Sequence, residues 1–294
     1  MKHLATLLFV LIIVSCAPEK IKEVDYGSNS KTGKYVEVND IKIYYEVYGE
    51  GEPLLLIHGN GGSIENFIYQ IPEFAKQYKV IVVDSRAQGR SSDSDQEISY
   101  SLMASDMSEF IDKLNLGKVH VVGWSDGGNV GLELAYAHPE KVSKAVIFGA
   151  NYSHENYNAV PDSIAISPNH PAINHTALVL ERYRSGNERL SLNKERLPII
   201  KKKLTALMEK YPNFTLEQLN TIQVPFMVVV GDHDSINIEQ TILLYQNLPQ
   251  AQLFVLPGAS HFSLIEYPEL ANKEILRFFK TPFQAISNNY YYTK

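Results

Sequence analysis

The chain has 294 residues, 45% of them hydrophobic and 20% charged, which is enough to bury the core of one large globular domain. Its formal net charge of −6 at pH 7 excludes the basic footprint typical of proteins that bind nucleic acid. The single cysteine excludes an internal disulfide.

The first predicted element is an N-terminal signal. Lys2 precedes an apolar run from Leu4 to Val14, which is too short to span a bilayer as a permanent helix. The run ends in "IVSC", which resembles a bacterial lipobox, and the resemblance implies cleavage before Cys16 and lipid attachment to its sulfur. A plain signal peptide with an incidental cysteine is the alternative.

We therefore expect a lipoprotein signal peptide over 1–15 and a flexible tether over 16–33, starting at lipidated Cys16. The expected location is the bacterial cell envelope, with the membrane as a partner through the lipid anchor. Ala17 stands where an aspartate often marks inner-membrane retention in enteric bacteria, and its presence favours the outer membrane.

Alternating strands and helices follow the tether. Two alternating segments flank Asn39-Asp40 and predict an antiparallel hairpin. After Pro53, short apolar runs that end in glycine, polar or charged residues alternate with helical patterns, one of which begins where Ser99 can cap it. This order predicts a mostly parallel sheet with helices on both faces. Ligands of such sheets bind at the carboxyl ends of the strands.

One long interval, residues 151–212, has no clear strand. It contains a polar opening and probable helices, and it lies between two core strands. We interpret it as a cap insertion over the sheet edge. The predicted core then comprises 34–150 and 213–282, and the C-terminal tail comprises 283–294.

Ser125 is the candidate nucleophile. It lies in "GWSDG", where a β-branched strand pattern changes directly into a helical pattern. Gly123 and Gly127 leave room for the strained turn that this change requires. The first N–H groups of the following helix face the same point, where they can stabilise the oxygen of an attacked carbonyl.

A serine hydroxyl needs a base, and the base needs an acid. His261 follows the last apolar run, at the carboxyl end of a predicted edge strand. Asp232 and Asp234 both follow the preceding strand, and either can orient the imidazole.

The order Ser125, "GDHD", then His261 in "GASH", together with "HGNGG" and "DSRAQGRS", resembles the α/β-hydrolase fold family over about residues 34–280. The branch that "GWSDGG" most resembles includes valacyclovir-hydrolase-like serine esterases. The resemblance implies Asp234 as the triad acid, with Asp232 as the alternative. It also implies an oxyanion hole formed by the N–H groups of Asn60 and Asp126.

The pocket residues suggested by the sequence are Trp124, Asp126 and Tyr152. The resemblance implies that the Asp126 carboxylate could pair with a substrate amine, whereas a simple electrostatic contribution to the helix N-terminus is the alternative. His58 is expected to brace its loop by hydrogen bonds and to transfer no proton.

The predicted protein is an α/β-hydrolase that cleaves a small carboxylic ester, which could be an amino-acid ester, through an acyl-enzyme. No metal or organic cofactor is expected, since no metal-ligand spacing occurs. The alternatives are a carbon–carbon bond hydrolase or a cofactor-free perhydrolase with the same triad, and a non-catalytic membrane-tethered binding protein. The sequence does not specify an oligomeric state.

Overall fold

The computed structural model of the chain describes residues 24–155, 181 and 185–284. The predicted signal peptide, Cys16 and the start of the tether lie outside these residues, as do 156–180 and 182–184 of the predicted cap and residues 285–294 of the tail. None of the helices within the described ranges has the length and apolar character needed to span a bilayer.

The strands and helices follow the alternation that the sequence predicts. The strands are β1 (Lys34–Val38), β2 (Ile41–Tyr48), β3 (Glu52–Ile57), β4 (Tyr78–Val83), β5 (Val119–Trp124), β6 (Val142–Phe148), β7 (Phe226–Gly231) and β8 (Ala251–Leu256). The helices are α1 (Ile71–Phe74), α2 (Tyr100–Lys113), α3 (Asp126–Ala137), α4 (described over 185–190), α5 (Leu197–Lys210), α6 (Leu216–Asn220), α7 (Ile238–Asn247), α8 (Ser263–Glu266) and α9 (Pro268–Lys280).

The strands form one sheet of eight in the order β1-β2-β4-β3-β5-β6-β7-β8. β1 and β2 form the predicted antiparallel hairpin, and β2 also pairs antiparallel with β4. All later pairings are parallel. The expected fold class, a mostly parallel sheet with an N-terminal antiparallel hairpin and helices on both faces, is confirmed.

Each central strand is buried on both faces because helices cover the two sides of the sheet. In β3, Leu55 and Ile57 belong to the core cluster that also contains residues of α2 and α3. Leu54 and Leu56 point to the opposite cluster, which contains residues of α1 and α9. This alternation explains the continuous apolar runs in the sequence.

Local signals place the helices that border the site. The Ser99 side chain accepts a hydrogen bond from Leu102 N at 3.1 Å, so α2 begins where the sequence predicts a cap. α3 begins one residue after Ser125, directly behind β5. Because β3, β5, β6, β7 and β8 pair in parallel, their carboxyl ends lie at one edge of the sheet.

The segment before β1 packs on the body, so the second half of the predicted tether needs correction. Tyr26 is buried, and the backbone N–H groups of Gly27 and Asn29 donate to the Glu46 carboxylate at 3.1 and 2.8 Å. The hydroxyls of Tyr44 and Tyr48 donate to the same carboxylate. Residues 26–29, within the predicted tether, therefore belong to the folded body. The reason is that the buried Glu46 requires donors, and this polar segment supplies two of them.

We expect Glu46→Gln to lower the free energy of unfolding by about 2 kcal/mol, because an amide group replaces a carboxylate that accepts four hydrogen bonds. Urea unfolding followed by circular dichroism measures this change. Glu50→Gln is the matched control, since Glu50 is exposed. Equal free energies of unfolding for the two variants would contradict the assigned role of Glu46.

Candidate active site

Ser125 occupies a strained backbone position between β5 and α3. Its φ is 56° and its ψ is −119°, a conformation that non-glycine residues rarely adopt. Its N–H donates to Phe148 O at 2.7 Å, and its carbonyl accepts from Gly128 N and Asn129 N at the start of α3. These backbone hydrogen bonds hold the turn, and the turn lies at the sheet edge where the predicted ligand site should lie.

The turn at Ser125 leaves no space for a side chain at Gly123 or Gly127. A Cβ at Gly123 would overlap the Gly127 carbonyl, and a Cβ at Gly127 would overlap the Ile57 carbonyl. Gly59 lies against the Ser125 side chain, since a Cβ there would be 3.0 Å from Ser125 Cβ. The "GWSDG" motif is therefore explained by close backbone approach.

His261 and Asp234 form a hydrogen-bonded pair at the same sheet edge. Nδ1 of His261 lies 2.7 Å from Oδ1 of Asp234, and the Asp234 side chain is 1% exposed. Oδ1 also accepts from Ile236 N at 2.8 Å, which fixes the orientation of the carboxylate. The indole N–H of Trp124 donates to the His261 carbonyl at 2.9 Å and holds the histidine backbone beside the end of β5.

The structure distinguishes the two aspartates of "GDHD" by their partners. Asp232 accepts from Gly258 N at 2.7 Å, contacts the His233 ring and is partly exposed. Asp234 alone of the two is hydrogen-bonded to His261. The geometry therefore favours Asp234 as the residue that orients the imidazole, as the family resemblance implies.

Two opposing effects set the pKa of His261. Burial lowers it, but the charge and hydrogen bond of Asp234, with smaller contributions from the charges of Asp126 and Glu266, raise the pKa above the ordinary histidine value. Glu266 is itself held close by, accepting from the Ser260 N–H and hydroxyl, both at 2.7 Å. The environment thus favours the proton on His261 once the imidazole has received it.

Gly149, directly after β6, leaves the space that this pair occupies. Its φ is +55°, and a Cβ there would lie 2.7 Å from Nδ1 of His261 and 3.0 Å from Oδ2 of Asp234. The glycine in "FGAN" is therefore required by contact with the histidine and aspartate as well as by its backbone conformation.

The loop after β3 carries His58 and Asn60. Ser85 N donates to Nε2 of His58 at 3.0 Å, so the proton is on Nδ1, which lies 2.7 Å from Gly59 O. Burial lowers the pKa of His58 to about 4. This histidine is therefore neutral and braces the loop, as expected. Gln88 adds a second brace by accepting from Gly61 N at 2.6 Å.

Asp126, the residue after Ser125, has a buried carboxylate with two donors. Tyr100 donates its hydroxyl proton to Oδ1 at 2.7 Å, and the Asn60 side-chain amide donates to Oδ2 at 2.8 Å. Burial raises the pKa of Asp126, against the lowering effects of these hydrogen bonds and of His261. As the first residue of α3, Asp126 also has a backbone N–H without a partner inside the helix.

The remaining predicted pocket residues are packed in the core or against it. Trp124 is 1% exposed, because its position in β5 points it into the core cluster shared with α1 and α9. Its side chain thus supports His261 and does not offer an open binding face. Tyr152 is half-buried, packs against the opposite core cluster, and accepts from Phe214 N through its carbonyl.

Sequence reasoning missed Tyr100 and Gln88. Tyr100 is 1% exposed at the first position of α2. In the sequence, an aromatic residue at this position is typical of a core residue. Gln88 lies inside "DSRAQGRS", and nothing in that segment indicates a contact with the loop after β3. Only the folded chain shows that each contacts a residue of the candidate oxyanion region.

Within the part of the chain that the structure describes, no group of three or more His, Cys, Asp or Glu side chains is arranged to hold a metal ion.

Comparison with known proteins agrees with this architecture. Residues 52–173 match the family model described as alpha/beta hydrolase fold. The 2-hydroxy-6-oxononadienedioate/2-hydroxy-6-oxononatrienedioate hydrolase of Burkholderia vietnamiensis is 26% identical over 281 residues, which cover 86% of this chain and 97% of that protein. The sheet order, the turn after β5 and these similarities show that the chain has the α/β-hydrolase fold.

Solved structures resemble the chain over most of its length. An N-acyl homoserine lactone degrading enzyme superposes with a TM-score of 0.62 at 28% identity, covering 84% of this chain and 100% of that one. A thermophilic esterase from Thermogutta terrifontis superposes with a TM-score of 0.68 at 22% identity, covering 84% and 98%. These proteins are named for different activities, so the similarity shows a shared fold and specifies no reaction for this chain.

We expect Asp234→Asn to lower the pKa of His261, because the variant loses the charge that raises this pKa and leaves the effect of burial. Two-dimensional NMR of the histidine ring protons against pH measures the change, with His261→Gln used to assign the signal. Asp232→Asn is the matched control, because Asp232 contacts His233 and Gly258 instead. An equal pKa of His261 in both variants would refute the assignment of Asp234.

Proposed function

We propose that the chain is a serine hydrolase that cleaves a small carboxylic ester through an acyl-enzyme. The observation that carries this proposal is the 2.7 Å contact between His261 Nδ1 and Asp234 Oδ1 at the same sheet edge as the strained Ser125. With Nδ1 committed to the aspartate, Nε2 of His261 is the nitrogen available as a base.

In the proposed reaction, Nε2 of His261 takes the hydroxyl proton of Ser125 as Oγ attacks the ester carbonyl carbon. The imidazolium then gives this proton to the departing alcohol as the carbon–oxygen bond breaks. Water attacks the acyl-serine with His261 again as base, which releases the carboxylic acid and restores Ser125. The raised pKa of His261 favours the protonated intermediate state in both halves of the reaction.

The proposed oxyanion hole combines the backbone N–H groups of Asn60 and Asp126. Asn60 follows β3 and Asp126 follows Ser125, and their side chains are joined by the 2.8 Å hydrogen bond. Two such donors act on the charge that develops on the carbonyl oxygen, and loss of one donor typically costs about 10²- to 10³-fold in rate.

Carbon–carbon bond hydrolysis is the second candidate, supported by the relative from Burkholderia vietnamiensis. The substrate in that relative's name has carboxylate, enol and ketone groups but no ester, so its hydrolysis breaks a carbon–carbon bond next to the ketone. The same nucleophile, base and oxyanion donors serve this reaction and a perhydrolase reaction. We place the ester first because "GWSDGG" resembles the corresponding segment of serine esterases.

An amino-acid ester is the finer substrate hypothesis from the sequence resemblance to valacyclovir-hydrolase-like esterases. Asp126 would be the partner of the substrate amine. Its carboxylate, however, already accepts hydrogen bonds from Tyr100 and Asn60, and the residue is 3% exposed. These contacts favour simple esters over amine-bearing ones.

We expect the full-length protein to hydrolyse p-nitrophenyl acetate and butyrate, and Ser125→Ala to lose kcat by a factor on the order of 10⁶, to the assay background. Amino-acid p-nitrophenyl esters and a 2-hydroxy-6-oxo-dienoate complete the substrate panel, monitored by absorbance. Ser105→Ala is the matched control, because Ser105 is exposed on α2.

The outcome of this panel separates the candidates. Turnover of the dienoate alone would replace the ester with the carbon–carbon reaction. Tight binding without turnover would favour the tethered binding protein, and activity retained in Ser125→Ala would refute the serine mechanism.

We further propose that Cys16 carries lipid and anchors the protein in the cell envelope, with the outer membrane favoured. This proposal rests on "IVSC" and the apolar run from Leu4 to Val14. Acyl chains on Cys16 would hold the catalytic body close to a membrane surface.

We expect metabolic labelling of the bacterial host with an alkyne fatty acid to mark the wild-type protein and to leave Cys16→Ser unlabelled, because the thiol is the attachment atom. In-gel fluorescence after click chemistry measures the label. Ser15→Ala is the control, because alanine is also a small residue before the cysteine. Equal labelling of wild type and Cys16→Ser would contradict lipid attachment at this residue.

A further inference from the structure

A buried chain of side chains joins three elements behind the candidate oxyanion hole. Tyr100 stands at the first position of α2, Asp126 at the first position of α3, and Asn60 in the loop after β3. The Asp126 carboxylate lies between the other two, with distances of 2.7 Å to the Tyr100 hydroxyl and 2.8 Å to Asn60 Nδ2. None of these three side chains is the proposed nucleophile, base or acid.

The same amide of Asn60 also contacts the predicted cap. Its Nδ2 donates to Leu204 O of α5 at 3.3 Å. The Asn60 amide thus donates one hydrogen to Asp126 of α3 and the other to Leu204 of α5. The side chain of Asn60 is held from two sides, and its orientation fixes the backbone of its own loop.

Because Tyr100 and Asp126 are buried, the loss of either one leaves the other without a hydrogen-bond partner. Tyr100 is 1% exposed and Asp126 is 3% exposed, so water cannot easily replace either partner if the other is removed. The remaining group would stay unpaired in the core or pull the loop towards a new partner.

We propose that Tyr100 and Asp126 are positioning residues that hold Asn60 so that the backbone N–H groups of residues 60 and 126 keep the separation required to bind one oxyanion. This inference rests on the proposed serine hydrolase function. The side chain of Asp126 acts through Asn60, whereas its backbone N–H contacts the substrate oxygen directly. Tyr100 acts one step further away by fixing the carboxylate of Asp126.

Asp126 has a second effect, through charge. Three carboxylates face His261, namely Asp234, Asp126 and Glu266, and each raises the pKa of the imidazole. Because the base must be neutral to accept the serine proton, the acid limb of the rate profile follows this pKa. Removal of the Asp126 charge alone should therefore move the acid limb to lower pH.

Two variants separate geometry from charge. Tyr100→Phe removes one hydrogen bond and keeps the charge of Asp126. Asp126→Asn removes the charge and can keep both contacts, because its oxygen can accept from Asn60 while its amide donates to the Tyr100 hydroxyl oxygen. Tyr245→Phe is the matched control for the hydroxyl, since Tyr245 is exposed on α7.

We expect Tyr100→Phe to lower kcat for p-nitrophenyl acetate by roughly tenfold with little change in KM, because a displaced oxyanion donor weakens the transition state and not the ground state. Asp126→Asn should shift the acid limb of the kcat profile to lower pH, a shift that Tyr100→Phe should not show because it keeps the Asp126 charge. Asp126→Leu should cost roughly 100-fold, and adding Tyr100→Phe to it should cost nothing more, because both act through the same contact.

The readouts separate the failure of this inference from failure of the proposed function. If turnover depends on Ser125 but Tyr100→Phe keeps its kcat, or changes KM alone, or adds fully to Asp126→Leu, positioning is refuted and the hydrolase stands.

If no ester is turned over, NMR of the Asn60 side-chain amide still tests the positioning. Faster solvent exchange of this amide in Tyr100→Phe than in Tyr245→Phe supports positioning, and equal exchange overturns it.

Discussion

The close approach of α3 to the end of β3 is the constraint on which the candidate site depends. A Cβ at Gly127 would overlap the Ile57 carbonyl and lie 2.8 Å from the His58 carbonyl, so the first turn of α3 touches the backbone that leads to Asn60. This contact brings Asp126, the residue after the candidate nucleophile, beside Asn60, the second candidate oxyanion donor. It also forces the chain at Ser125 into the left-handed region, since the strand must become a helix without a connecting loop.

A balance between burial and charge sets the pKa of His261, the candidate base. His261 is largely buried, which alone would lower its pKa, and the charge and hydrogen bond of Asp234 together with the charges of Asp126 and Glu266 raise the pKa above the ordinary value. Within the described structure, Oδ2 of Asp234 is buried without a hydrogen-bond partner. The Asp234 carboxylate therefore accepts fewer hydrogen bonds than it would in water. Its negative charge is screened less, so it acts strongly on the His261 ring.

The parts predicted correctly from the sequence are those that local patterns encode. The β1–β2 hairpin follows from alternation around Asn39-Asp40, the start of α2 follows from Ser99, and the turn at Ser125 follows from the change of periodicity between flanking glycines. Each signal lies within a few residues of the feature that it predicts. The position of β8 at the sheet edge followed from the order of strands and helices.

The parts that were not predicted depend on contacts distant in sequence. Asp232 and Asp234 follow the same strand, and the choice between them depends on the turn in which Asp234 N donates to Gly231 O at 3.1 Å. The polar segment after Val24 has the composition of a tether, but it packs because Glu46 is buried and needs donors. No local pattern around Tyr100 reports its contact with a residue 26 positions away.

The predicted cap is linked to the same network, because ion pairs join α5 and the residue before it to the loop between β4 and α2. Asp93, whose side chain is 3% exposed, pairs with Arg196 at 2.7 Å and with Lys203 at 3.0 Å. The next residue of α5, Leu204, accepts from Asn60 through its carbonyl. A displacement of α5 would therefore act on the side chain that holds the oxyanion loop. In the proposed site, these ion pairs therefore help to fix the Asn60 side chain, although they lie far along the chain from Ser125.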